Sequence, residues 1–252
     1  MKLIRYKKDS QISYGILDGN RVREIQGDIF GDLSETGTQY PLEDVMLLAP
    51  CVPTKMFALA GNYKSHLGGG DPSEEPQPFF KVPTSVLDPM GTIIIPRGSG
   101  EVHYEGEMVA VIKKTAKRVS PEEAPAYILG VTCGNDVSAR IWQRNDRQWW
   151  RAKSSDTFSP MGPVIDTEAD YGNLLLQTRL NGEVVQSQST ADLIFDAPHL
   201  VSFISQVVTL LPGDAIFTGT PGTTGRIKAG DIVEVELEGV GILKNSVADE
   251  EL

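Results

Sequence analysis

The sequence predicts an α+β fold dominated by strands, with a small β domain over residues 1–50 and a main domain over residues 51–252. Three observations carry this. Residues 102–112 alternate side chains with the two-residue period of a strand. Asp18-Gly19 and Asn181-Gly182 each sit between apolar-rich runs and are strong hairpin turns. One long stretch, residues 198–211, carries a helical stripe of Leu200, Val201, Phe203, Ile204, Val207, Val208 and Leu211, closed by Pro212-Gly213.

Taken in order, residues 3–6, 12–17 and 22–25 read as strands of the N-terminal unit. A short helix is expected after Pro41, with Val45, Met46 and Leu48 as its apolar stripe and Pro50 as its stop. The run Ala49-Pro50-Cys51-Val52-Pro53 marks the junction. Beyond it, residues 56–60, 79–81 and 92–95 read as strands. Leu67-Gly68-Gly69-Gly70 and the polar residues after it form a loop that is costly to order. Ser120-Pro121-Glu122-Glu123 is a helix start that Pro125 keeps short. Residues 128–133 form a buried strand ending at Gly134-Asn135-Asp136, and strands return at 174–180, 214–218 and 232–237.

Composition narrows the function. With 34 acidic against 23 basic residues the net charge is -11, and no Lys/Arg block interrupts it, so nucleic acid and anionic membrane surfaces are excluded as partners. Small anions remain open to capture by local basic residues. Two distant cysteines, Cys51 and Cys133, make no disulfide framework, and the N-terminal residues lack an apolar leader, so the expected location is the cytoplasm.

The chemistry gathers in Tyr104-Glu105-Gly106-Glu107. Read as one strand, this segment sets Val102, Tyr104, Met108, Ala110 and Ile112 on a core face and His103, Glu105 and Glu107 on an acidic one. Two glutamates on so apolar a strand repel each other unless a cation lies between them; alone, such a pair more often marks a wet strand face. Asp136, at the end of a buried strand, supplies a third carboxylate. Three hard oxygen ligands suit Mg²⁺ or Mn²⁺ in an octahedral site, with places left for a chelating 2-oxo acid.

Four ordered motifs then match a known family. Tyr104-Glu105-Gly106-Glu107, residues 134–140 (Gly-Asn-Asp-Val-Ser-Ala-Arg), residues 153–158 (Lys-Ser-Ser-Asp-Thr-Phe) with Gly162-Pro163, and Thr218-Gly219-Thr220-Pro221-Gly222 closely resemble the fumarylacetoacetate hydrolase superfamily. The resemblance runs from about residue 62 to the C-terminus. It implies a mixed, rolled β-sheet, a homodimer, and Mg²⁺ or Mn²⁺ held by Glu105, Glu107 and Asp136. It further implies that Lys153 stands beside the metal as a catalytic cation, that Arg140 and Gln143 line the substrate pocket, that Thr220 holds the substrate carboxylate, and that Lys81 and Ser85 belong to the pocket.

His66 matches the histidine that activates water in the family's hydrolases, but the glutamate expected three residues on is Gly69, and Glu74 or Glu75 would have to replace it. His103 is expected at a wet strand entrance, His199 at a helix start, and Trp142, Trp149 and Trp150 as either packing or pocket walls. The resulting expectation is a metal-dependent hydrolase of carbon–carbon bonds acting on a small 2-oxo or 2,4-dioxo acid through an enolate. Decarboxylation of an oxaloacetate-like acid and isomerisation of a hydroxymuconate-like diene use the same enolate without activated water, and a metal-binding protein without turnover is the remaining reading.

Overall fold

The computed structural model describes residues 1–251. Its frame is a mixed sheet of twelve strands, of which ten form one continuous path. The path runs Leu33–Pro41, Arg21–Gly27, Gln11–Asp18, Lys2–Lys8, Ser159–Asp166, Ile128–Asn135, Gly106–Ile112, Ala215–Phe217, Met56–Ala60 and Gln77–Lys81. Five strands, Glu183–Ser189, Leu175–Leu180, Ile232–Leu237, Gly241–Asp249 and Thr92–Ile95, form a second sheet, and three short ones, Ser138–Ala139, Val102–His103 and Arg226–Ile227, a third. Both expected hairpins are present: Asp18 and Asn181 adjoin the turns between antiparallel pairs. The N-terminal strands are continuous with the main sheet, because Lys2 and Leu3 pair with Asp166 and Ile165.

Three elements differ from expectation. Pro41 is followed by a single 3₁₀ turn, Leu42–Asp44, and then by a strand, Met46–Leu48, laid against Arg5, Tyr6 and Lys7. Three apolar residues satisfy a helical stripe and a short strand equally, and the ladder partner decides between them. The helix expected to reach Leu211 covers only Ala197–Ser205; it is capped by Asp196, whose carboxylate accepts from the His199 N–H at 2.8 Å. No helix among the described residues is long and apolar enough to cross a membrane.

The third difference concerns the acidic segment. It is two strands rather than one, Val102–His103 in the small sheet and Gly106–Ile112 in the large one, with Tyr104-Glu105 as the step between. Nor is one face of it wet. Met108, Ala110 and Ile112 pack with Leu200, Val201 and Ile204 of the helix, while Val109 and Val111 pack with Met56, Met161 and Phe217 on the opposite side. A strand buried on both faces belongs at the centre of the sheet, and the pairing with Ile128–Asn135 and Ala215–Phe217 puts it there.

Candidate metal centre and active site

The site lies where two antiparallel chain segments change sheets together. In the large sheet Gly106 pairs with Asn135 and Glu107 with Gly134; in the small sheet Val102 pairs with Ala139 and His103 with Ser138. Between these ladders neither segment is paired as a strand, and the gap is spanned by specific bonds. The Glu105 N–H donates to Asn135 Oδ1 at 2.9 Å, and the Asp136 N–H donates to the Glu105 carbonyl at 2.9 Å. Glu105 and Asp136 therefore meet at the crossover, and Glu107 begins the strand beside them. Their oxygens lie within 4.8 Å of one another, and all three residues are buried.

Gly106 makes the spacing possible. A Cβ there would stand 1.9 Å from Thr178 Oγ1 of the second sheet, so only a glycine lets the two sheets approach with a glutamate on either side of the contact. Three cations converge on the acids. Lys153 Nζ, from the short helix Trp150–Ser154, is 2.6 Å from both Glu105 Oε2 and Asp136 Oδ2. Lys81 Nζ, at the end of the sheet's edge strand, is 2.6 Å from Asp136 Oδ1 and also donates to the Lys153 and Phe158 carbonyls. Arg140 Nη2 lies 2.6 Å from Glu105 Oε1.

The acids are not equally served. Burial would raise Glu105, but the charges of Lys153 and Arg140 hold its carboxyl down at about 2. Glu107 is pushed well above the carboxylate range, first by burial and then by the negative charges of Asp136 and Glu105. It accepts one bond at 2.7 Å, from the Gly219 N–H, and among the described residues no cation lies within ion-pair distance of it. Burial works against the charge of Lys153, yet Asp136 and Glu105 raise its affinity for the proton, so it stays charged. A buried glutamate without a cation, sharing an all-oxygen cage with two other carboxylates, fits a hard divalent ion such as Mg²⁺ or Mn²⁺. Glu105, Glu107 and Asp136 are the residues that would hold it.

Glu105, Lys153, Arg140, Gln143, Thr220 and His66 all line one cavity of about 190 Å³. Arg140 and Gln143 stand one turn apart on the helix Arg140–Asn145 and bond to each other at 2.8 Å. Thr220 lines the wall, but its hydroxyl donates to the Gly106 carbonyl and accepts from Gln186. The His66 ring places Nδ1 2.6 Å from the Gly222 carbonyl, and among the described residues no carboxylate pairs with it. Glu74 and Glu75 are exposed.

Lys81 and Ser85, expected in the pocket, are placed behind it. Lys81 is spent on Asp136 and two carbonyls, and Ser85 Oγ bonds to the Val82 carbonyl and Ser159 Oγ, so neither lines the cavity. His103 is only half-buried: Nδ1 meets Thr224 Oγ1 at 3.0 Å and Nε2 lies 3.0 Å from Glu101. Sequence reasoning missed Phe79, which lines the cavity edge-on to Trp149 with ring centroids 5.3 Å apart and lies 5.2 Å from Lys153 Nζ. It also missed Gln186 and Thr224, which lack any local signal. Trp149 sits at φ 55°, a left-handed conformation unusual for so bulky a residue.

Residues 55–248 match the family model described as fumarylacetoacetate (FAA) hydrolase C-terminal, and residues 1–50 match one described as Rv2993c-like, N-terminal. The chain belongs to the fumarylacetoacetate hydrolase family. Solved structures of the family superpose closely. A 5-carboxymethyl-2-hydroxymuconate delta-isomerase from Mycobacterium smegmatis is 41% identical, with a TM-score of 0.94 over 99% of this chain and 100% of that one. A maleylpyruvate hydrolase from Sphingobium sp. SYK-6, in complex with manganese(II) ion and pyruvate, is 26% identical with a TM-score of 0.82 over the whole of both chains. The mitochondrial oxaloacetate tautomerase Fahd2a of Rattus norvegicus is 40% identical over 221 residues, 82% of this chain and 71% of that protein. The β-rich, mixed-sheet fold of this family is thus the one observed. Its members include an isomerase, a hydrolase and a tautomerase, so family membership establishes the scaffold and leaves the reaction to the site.

Proposed function

We propose that this chain is a Mg²⁺- or Mn²⁺-dependent enzyme that moves a proton at the carbon beside the keto group of a small 2-oxo dicarboxylic acid, as in keto–enol tautomerisation or double-bond isomerisation. The observation that carries this reading is the tether of His66. A carbonyl oxygen only accepts, so the 2.6 Å contact assigns the ring proton to Nδ1 and leaves Nε2 of the neutral imidazole as a base at the cavity wall. A base without a carboxylate partner suits proton abstraction and return at carbon.

A divalent ion there would supply a Lewis acid for the keto oxygen, and with the three carboxylates of Glu105, Glu107 and Asp136 ionised around it and Lys81, Lys153 and Arg140 charged, the loaded cluster would carry +2, matched to a dianion. Lys153, kept protonated, stabilises negative charge as the enolate develops. Lys81 orients Asp136 rather than touching substrate. Arg140 and Gln143 offer donors for the distal carboxylate. The cavity is smaller than the range of about 300–1,000 Å³ typical of drug-sized ligands, which limits the substrate to a short acid. Likeness to a tautomerase and an isomerase at 40% and 41% identity supports the same reading.

Carbon–carbon hydrolysis is the second reading, supported by the likeness to a manganese- and pyruvate-bound hydrolase. It requires Glu74 or Glu75 to approach His66. The discriminating measurement supplies the Mn²⁺-loaded chain with the enol form of oxaloacetate, a hydroxymuconate and a set of acylpyruvates. Faster decay of enol absorbance, or a shift without mass change, is expected. Pyruvate appearing with a second acid supports hydrolysis instead, CO₂ supports decarboxylation, and no change across the set removes the catalytic reading.

A further inference from the structure

Gln186 lies on the strand Glu183–Ser189, outside the four motifs, and is 4% exposed. Three of the four hydrogen-bonding valences of its amide are used. Oε1 accepts the Gly106 N–H at 3.1 Å, and Nε2 donates to Thr220 Oγ1 at 2.9 Å and to the Pro221 carbonyl at 2.6 Å. The opposite amide orientation would set two donors, or two acceptors, against each other at Gly106 and Pro221, so the network allows one orientation. The Thr220 hydroxyl closes the ring by donating to the Gly106 carbonyl at 2.9 Å. One residue on, Gly222 continues the chain of contacts: its N–H donates to Ser65 Oγ at 3.0 Å and its carbonyl receives His66 Nδ1.

We propose that Gln186 is a positioning residue that locks the 220–222 loop to the carboxylate-bearing strand and, through the Gly222 carbonyl, sets which nitrogen His66 presents to the cavity. The consequence rests on the proton-transfer reading above, because only a base with a fixed tautomer gains from such a lock. Gly106 lies between the two glutamates, so the amide, bonded to the backbone of that strand, sets the spacing between the carboxylates and the base without bonding to a carboxylate or to His66. A 220–222 segment displaced by 1 Å, with Gly219 still donating to Glu107, would leave the carboxylates in place and misdirect the base.

Gln186→Glu separates the two ends of the device. It keeps an acceptor for the Gly106 N–H and loses both donors to the loop. The expected result is Mn²⁺ affinity near that of the parent chain, with KM for the substrate rising and kcat falling each about tenfold. Gln186→Met, unbranched and uncharged, loses both ends and carries the test if the charged variant does not fold. A second readout needs neither metal nor turnover. The chain has three histidines, so their imidazole ¹⁵N signals can be assigned individually in the metal-free protein. His66 is expected as the Nδ1–H tautomer in the parent and as a mixture in the variant, with faster amide exchange across residues 220–223. An unchanged His66 tautomer and unchanged loop exchange in a folded variant overturn the proposal. A parent chain that turns over no keto acid while the tautomer still shifts overturns the proposed function and leaves the lock standing.

Discussion

Single residues set the electrostatics of this site, and Glu107 is the most exposed to test. Its proton is held more tightly in the folded than in the unfolded chain, so the folded state binds more protons once pH climbs out of the carboxylate range, and metal-free stability falls as pH rises towards the raised pKa. Glu105 has the opposite sign: its contribution is present above the ordinary carboxylate range and is lost as pH falls towards about 2. Melting the chain in chelator across pH is expected to show the falling limb, and Glu107→Gln is expected to flatten it and gain on the order of 1 kcal/mol at neutral pH. The same variant is expected to abolish Mn²⁺ binding by calorimetry; retained binding would remove Glu107 from the ligand set. Trp149 offers a second test. Replacing it with glycine relieves a left-handed backbone worth about 1–2 kcal/mol and loses an aromatic pair worth roughly 0.5–1.5 kcal/mol. Stability should hardly move, while turnover spreads to acids with bulkier distal groups; an unchanged substrate range would show that Trp149 is not the wall.

At the scale of elements, the decisive feature is the joint change of sheets by residues 102–112 and 128–139. Its tightest point is Gly106, and Gly106→Ala is expected to cost about 1–3 kcal/mol by forcing the second sheet away. Thr178→Ala removes the oxygen nearest the new methyl group, an oxygen that is buried without a hydrogen bond, so the double variant should recover part of the loss. Additive melting temperatures would contradict this. The carboxylate trio was readable in sequence because Asp136 and the four ordered motifs stood with Glu-x-Glu, a pair that alone fits a wet strand face. Both hairpins were readable because turn chemistry is local. The Met46–Leu48 strand was not, since its identity comes from partners at Arg5–Lys7, forty residues away in sequence by order of magnitude. Lys81 shows the same limit from the other side. The family resemblance marked it as a pocket residue, but only the distance to Asp136 and two carbonyls shows that it faces the acid rather than the cavity. Gln186 gave no signal, because a glutamine in a hairpin strand reads as surface until its three partners are known.

At the scale of the whole molecule, a divalent ion held by the three carboxylates would be coupled to the fold through the centre of the sheet. A ligand that binds only the native chain stabilises it in proportion to the logarithm of its concentration. Mn²⁺ is therefore expected to raise the melting temperature progressively, with chelator reversing it, and the rise should vanish in Glu107→Gln. A rise that persists in that variant would place the ion elsewhere. The acidic balance of the chain fits this arrangement: the few basic groups at the site are spent locally on carboxylates, while the net charge stays at -11.

The pairing of Lys2 and Leu3 with Asp166 and Ile165 has a bearing on how the polypeptide is made. On the ribosome, the opening hairpins emerge long before the stretch that must receive them, and the central strand likewise waits for Ala215–Phe217. Such long-range closure slows acquisition of native structure and leaves unsealed β edges during elongation. Nascent chains stalled before residue 159 should therefore remain protease-sensitive in their first fifty residues, with protection arriving only after the receiving strand has cleared the exit tunnel.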